Sequence, residues 1–208
     1  MATGPPPDDQ KGKVPVAELA ASAKDCQACD LYKTGTQTVF GEGGPKSKLM
    51  FVGEQPGDQE DRSGHPFVGP AGKLLDKALE EAGIDRSRVY VTNAVKHFKW
   101  VASGKRRLHQ KPNAREVAAC RGWLEAEIAA LKPRVIVCLG ATAAQSLLGR
   151  TFRVTQQRGE WIPSPHAPRV MATIHPSAVL RAQDHDSRER EYQGLVEDLR
   201  KVKEALEE

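Results

Sequence analysis

The chain is poor in several features that would place it in a class at once. Aromatic residues make up 5% of its 208 positions and cysteine only four of them. No apolar run approaches the roughly 20 residues of a membrane span, and the N-terminus lacks the apolar core of a secretory signal. A cytoplasmic location away from membranes is therefore expected. Four cysteines in a reducing compartment are metal ligands or buried apolar residues more readily than a disulfide framework. Internal repeats are missing too. The net charge of +4 is small for this length, so the average says little about partners.

What the average hides, the distribution shows. Between Lys96 and Arg115 stand seven Lys or Arg residues and no Asp or Glu, with Phe98 and Trp100 interleaved. Lys105, Arg106 and Arg107 at its centre form a candidate phosphate-contacting surface, to be weighed against a solvated loop whose cations only confer solubility.

The length fits one domain. Residues Met1–Pro15, with Pro5, Pro6 and Pro7 in a row, read as a disordered tail, which leaves a single folded domain over 16–208. Four short apolar runs rich in β-branched residues follow: Lys48–Gly53, Arg88–Asn93, Arg134–Gly140 and Arg169–Ile174. Helical periodicity marks Pro70–Ala82, Ala114–Leu131, Ala141–Leu148 and Ser187–Ala205, with a short Ala-rich helix from Val16 to Lys24. Strands alternating with helices predict an α/β fold, a three-layer α/β/α sandwich around a central four-stranded parallel sheet.

In such a sheet ligands bind beyond the carboxyl ends of the strands. The residues there are Gly53-Glu54-Gln55-Pro56-Gly57-Asp58, then Asn93, then Gly140-Ala141-Thr142, then His175-Pro176-Ser177. Polar groups from all four strands thus converge on one rim. Singly, each is also what a cap or a turn requires. The cysteines are equally open: Cys26 and Cys29 form a C-x-x-C pair, with Cys120 in a helix and Cys138 in a strand, a set compatible with redox chemistry or zinc.

Taken together, the order GEQPG, PFVGPAGKLL, TNAVKHF and IHPS resembles the uracil-DNA glycosylase superfamily, in particular its iron-sulfur family 4, over about Cys26 to Leu199. Gln55, where family 4 usually has Ala, and the insert GKRRLHQKP at 104–112 resemble the UdgX branch, which remains covalently attached to DNA after removing uracil.

The resemblance implies roles residue by residue. His109 would be the nucleophile that captures the sugar, and Glu54 would accept its Nδ1 proton, leaving Nε2 free. His175 would donate to uracil O2 as the base departs, and Asp58 would position water or stabilise the sugar cation. Asn93, offering a donor and an acceptor from one amide, would read the uracil edge; Phe67 would stack on the flipped base; Gly53 and Gln55 would line the pocket. Ser177 and Arg181 would join Lys105, Arg106 and Arg107 against DNA. Cys26, Cys29, Cys120 and Cys138 would hold a [4Fe-4S] cluster with a structural job. The implied partner is uracil-containing DNA, single- or double-stranded, met by a monomer.

Overall fold

The computed structural model describes residues 4–208. Met1–Thr3, the start of the expected tail, lie outside the described residues. The rest of that segment is not loose: Asp8–Gln10 form a 3-10 turn. Lys11 Nζ sits 2.5 Å from Glu125 Oε2, and a Cβ on Gly122 would come within 2.8 Å of Pro5. Composition suggested disorder because the segment has no apolar core of its own; it borrows a surface instead.

The principal sheet is assembled from β1 (Leu49–Gly53), β2 (Val89–Asn93), β5 (Val135–Leu139), β6 (Trp161–Ile162) and β7 (Arg169–Thr173), in the order β2-β1-β5-β7-β6. The four expected strands are all present and mutually parallel, with Leu49 opposite both Val89 and Val135. The sheet has five strands rather than four, because the two-residue β6 pairs antiparallel along the edge of β7. Two residues are too few to show a periodicity, and so β6 left no mark in the sequence. A separate hairpin, β3 (Trp100–Ser103) with β4 (Arg106–His109), stands outside the sheet.

Helices cover both faces. Alternate strand residues point to opposite sides: Leu49, Phe51, Val135 and Val137 pack with α3 (Pro70–Glu81) and α8 (His185–Glu207). Met50, Val52, Ile136 and Cys138 pack with α4 (Ala114–Leu131) and α5 (Ala141–Leu148). The three-layer arrangement follows from strands apolar on both faces. Three short helices complete the order: α1 (Val16–Ala23), α2 (Asp58–Ser63) and α6 (Val154–Gln157), while α7 (Pro176–Leu180) directly follows His175. The helix α4 starts at a capping box, Asn113 Oδ1 accepting from Glu116 N at 3.0 Å while Glu116 Oε2 accepts from Asn113 N at 2.7 Å. It stops at Lys132, held at φ 48° immediately before Pro133.

Between β2 and α4 lies a fully buried ion pair. Lys96 Nζ donates to Glu127 Oε2 at 2.5 Å, with the side chains 1% and 0% exposed. The carboxylate also accepts from Gly41 N, Tyr90 Oη and Thr92 Oγ1, and Lys96 Nζ donates to the Asn93 carbonyl at 2.8 Å. Both charges are thus fully engaged, the condition under which burial of an ion pair is tolerated. Glu127→Ala would strand the ammonium, and a loss of about 3–5 kcal/mol in urea unfolding is expected; the paired replacement Lys96→Met with Glu127→Leu should cost less.

Candidate active site

At the carboxyl ends of β1 and β2, Gly53 lies opposite Asn93. A Cβ on Gly53 would fall 2.3 Å from Asn93 Oδ1 and 2.8 Å from Phe67 Cζ, so glycine is what lets the amide and the ring meet. The Phe67 backbone stands at φ 57°, a left-handed value uncommon outside glycine, and packs so closely on α3 that a Cβ on Gly72 would overlap the Phe67 carbonyl. Strain of this kind persists where the surroundings fix it, and it aims a side chain. Here the ring is stacked near His175, centroids 6.3 Å apart with the planes 29° from parallel. Asn93 is 3% exposed, yet its side-chain amide takes no hydrogen-bond partner among the described residues. A nearly buried, unengaged amide beside an aromatic ring is a ready-made contact for a planar polar ligand.

His175 ends its strand two residues past β7 and caps α7. Its Nδ1 accepts from Ser177 N at 3.1 Å and lies 2.8 Å from Ser177 Oγ. Burial pushes its pKa down to about 4, so the ring is neutral near pH 7. With Nδ1 accepting, the single proton sits on Nε2, which is thereby a neutral donor.

Glu54, half-buried, faces two partners. Thr142 Oγ1, in the first turn of α5, donates to Oε2, and His109 Nε2 lies 3.1 Å from Oε1. Burial opposes ionisation of Glu54, but the hydrogen bonds from His109 and Thr142 outweigh it and hold the carboxyl below its usual pKa. The expected Glu54–His109 contact is therefore present through Nε2 instead of Nδ1. The free lone pair of a neutral ring in this pose lies on Nδ1, the reverse of the sequence expectation.

His109 reaches Glu54 because the basic segment is an ordered hairpin and not a flexible loop. Ser103 pairs with Arg106 across a two-residue turn in which Gly104 takes φ 57°, the arrangement a twisted hairpin favours. Several side chains hold it. At its base, Gln55 Nε2 donates to the carbonyls of Lys99 (3.2 Å) and Gln110 (3.0 Å), while Gln55 Oε1 accepts from Lys99 N at 3.1 Å. Gln55 is thus consumed in clamping the hairpin, and its side chain is not a pocket lining as expected. Nearer the tip, Arg107 is inserted between Asp58 and the buried Asp61, at 2.6 Å from Asp61 Oδ2, and stacks over Phe98 and Trp100. Only 13% of its side chain is exposed. Arg107 therefore serves the fold of the site rather than DNA contact, and Asp58, engaged by Arg107 and Arg62, is held as their counter-charge.

Lys105 and Arg106 do project from the hairpin tip, and Arg181 is exposed after α7. Ser177 orients His175. In the segment after it, Val179 is buried at 1% and Leu180 is 42% exposed, so Leu180 is the apolar side chain available to a ligand.

The cysteines divide. Cys26, Cys29 and Cys120 share one apolar cluster around Trp123, where Trp123 Nε1 donates to Cys26 Sγ at 3.2 Å and Lys96 N to Cys120 Sγ at 3.3 Å. These donors favour a thiolate, but burial outweighs them at Cys120 and pushes its thiol up to about 12. Cys138 sits instead on the α4–α5 side of β5 among Ile136, Ala143 and Ala172, without a polar partner. The alternation of β5 dictates this: Cys138 shares the face of Ile136. No group of three or more metal-ligating side chains is gathered among the described residues. The chemistry of Cys26, Cys29 and Cys120 suits a cluster; that of Cys138 does not, and the four-cysteine set fails as a unit. His97 is linked to Cys26 through hydrogen bonds: its Nε2 is 3.0 Å from Thr38 Oγ1, which donates to the Ala23 carbonyl that also accepts from Cys26 N.

Sequence reading placed Thr142 on the rim without giving it a role, and missed Asp61 as a site residue along with the internal role of Arg107. Thr142 carried a signal, standing just past a strand end in the same rim as Glu54. The pairing of Arg107 with Asp58 and Asp61 had none, since it joins residues 46 and more positions apart.

A mostly parallel sheet with a polar carboxyl rim, an unengaged amide and a stacked aromatic defines an α/β protein with its candidate site at the strand ends. The family model described as "Uracil DNA glycosylase superfamily" matches residues 40–200, and the chain belongs to that family. It is 38% identical over 186 residues to a type-4 uracil-DNA glycosylase of Thermotoga maritima, covering 89% of this chain and 91% of that one. A type-4 enzyme of Archaeoglobus fulgidus is 34% identical over 86% of this chain and 91% of its own. A type-5 uracil-DNA glycosylase of Thermus thermophilus is 32% identical, covering 67% and 68%.

Two outcomes follow. Iron bound by the purified protein should be lost in Cys120→Ser and retained in Cys138→Ser; retention by the first or loss by the second contradicts the division. For His175 the folded pKa of about 4 lies below the ordinary 6.5. The unfolded chain takes up the proton first, so this residue's contribution to stability is full above pH 6.5 and declines as pH falls toward 4, by at most about 3 kcal/mol. His175→Asn should flatten that part of the pH–stability curve.

Proposed function

We propose that the chain excises uracil from DNA and then captures the sugar through His109. Membership of the superfamily supports the excision, and the contact of His109 with Glu54 at the rim supports the capture. The C1′–N1 electron pair leaves with uracil, whose O2 charge is met by the Nε2 proton of His175, while the free Asn93 amide reads the edge and the Phe67 ring supports the extruded base. The sugar becomes an oxocarbenium ion. The His109 lone pair on the nitrogen that Glu54 does not hold attacks C1′, and the proton on the other nitrogen is taken by Glu54. The product is an N-glycosidic bond to imidazole, slow to break because its leaving group must first be protonated. A side chain in place outcompetes water because well-oriented groups act at effective molarities of about 10⁵ M or more.

Cys26, Cys29 and Cys120 would supply thiolates to an iron-sulfur cluster that ties the N-terminal segment to α4, with a structural role. Lys105, Arg106 and Arg181 would meet backbone phosphates, so single- and double-stranded DNA would both serve, bound by a monomer in the cytoplasm.

The rival reading is turnover with water as nucleophile, favoured by the 23% exposure of the Glu54 side chain, which leaves its carboxylate open to solvent. Incubation with a uracil-containing oligonucleotide followed by a denaturing gel separates the two. A band retarded in denaturant supports capture, and an alkali-labile strand without retardation supports turnover. Neither product would leave a DNA-binding module without catalysis. His109→Ser should abolish the retarded band; if it persists, His109 is not the nucleophile.

A further inference from the structure

Each of the four parallel strands begins at or just after a cation: Lys48 before β1, Arg88 before β2, Arg134 before β5 and Arg169 at the start of β7. Because the sheet order is β2-β1-β5-β7, Arg88, Lys48, Arg134 and Arg169 stand side by side at its amino-terminal pole. Neighbouring strands are about 4.8 Å apart, and like charges placed abreast disfavour the fold unless an anion is near. Arg169 is matched by Glu208, but Arg88, Lys48 and Arg134 make no ion pair among the described residues, nor do Lys46, Lys13 or Lys132 around them. Elsewhere the chain pairs its cations readily, as at Arg62, Arg86, Arg121 and Arg158.

Two clefts open on this pole, of about 820 and 550 Å³, and Arg134 lines both. Together their walls hold eight Lys or Arg residues against three carboxylates. The one side-chain polar atom sealed from solvent and left without a hydrogen bond among the described residues, Ser47 Oγ, lies between Lys46 and Lys48 in the wall of the smaller cleft.

We propose that this pole is a second nucleic-acid contact, holding the phosphates of a DNA segment other than the one at the catalytic rim. A lone phosphate or small anion would engage two or three cations; six unpaired ones spread along two clefts that share Arg134 match a repeating anion. The strands of five residues set the two poles roughly 17 Å apart, and they open in opposite directions. One DNA segment therefore occupies the rim while another lies along the far end. The contact is to backbone only and blind to sequence. It rests on the proposed function only in taking DNA as the polyanion.

The test loads the wild-type protein with a short single-stranded uracil oligonucleotide, then titrates a fluorescein-labelled duplex lacking uracil and follows anisotropy at several salt concentrations. The expected result is binding of the duplex to the loaded protein, weakening as salt rises. In the variant K46E/K48E/K132E, at exposed positions outside the strands, the duplex affinity falls at least tenfold and the salt slope shrinks by about 0.9 for each phosphate the variant no longer neutralises. Uracil excision from the short oligonucleotide stays unchanged, which shows that the variant is folded; should it not fold, the K46Q/K48Q/K132Q form replaces it with a smaller drop in affinity expected. Failure of the loaded protein to bind duplex, or equal binding by the variant, overturns the proposal. Complete displacement by millimolar inorganic phosphate with no salt slope overturns it in favour of a small-anion site. If excision is absent while duplex binding and its weakening in the variant remain, the catalytic reading has failed and this one stands.

Discussion

The Lys96–Glu127 pair is the contact on which the site most depends. It lies where β2, the chain around Gly41 and α4 meet, and both charges are removed from water. The ammonium grips the carbonyl of Asn93, so the residue proposed to read a base is anchored from behind by the same ion that neutralises α4's carboxylate. The Lys96 amide meanwhile donates to Cys120 Sγ. One residue therefore joins the amide at the rim to the thiol cluster, and a disturbance of either would be felt at the other through a charge that has nowhere to relax.

A second constraint is steric. Gly53 and Gly72 leave room for Phe67 to sit against Asn93 and beneath the turn into α3, at a backbone angle that only its surroundings maintain. The polar elements are then added around a fixed ring: His175 with its proton placed by Ser177, and Glu54 held in its ionised form by Thr142 and His109. These arrangements exist without DNA, which is how an electrostatic site avoids reorganising during reaction.

Much of the framework was legible from pattern alone. The four parallel strands read as apolar runs, and α4 and α5 were found to the residue, because strands buried on both faces and helices with clear caps leave local marks. The rim residues were found for the same reason, each following a strand. What stayed hidden was what depends on distant partners. The hairpin, too polar to show an alternating strand, is ordered by Gln55 and by Asp58 and Asp61; Arg107 therefore read as a phosphate contact and Gln55 as a pocket wall. Cys138 read as a ligand because it completed a set of four, although strand alternation alone could have suggested that it faces the α4–α5 core. The residues after Thr3 read as a tail because a borrowed surface leaves no trace in composition.

The hairpin that carries His109 forms a β-ladder only with itself and is joined to the body by side chains, at its base through Gln55 and nearer its tip through Arg107. No strand of the main sheet runs through it. Because its ladder is its own, the hairpin could change in length or sequence without rethreading the sheet, so long as Gln55, Asp58 and Asp61 remain to receive it.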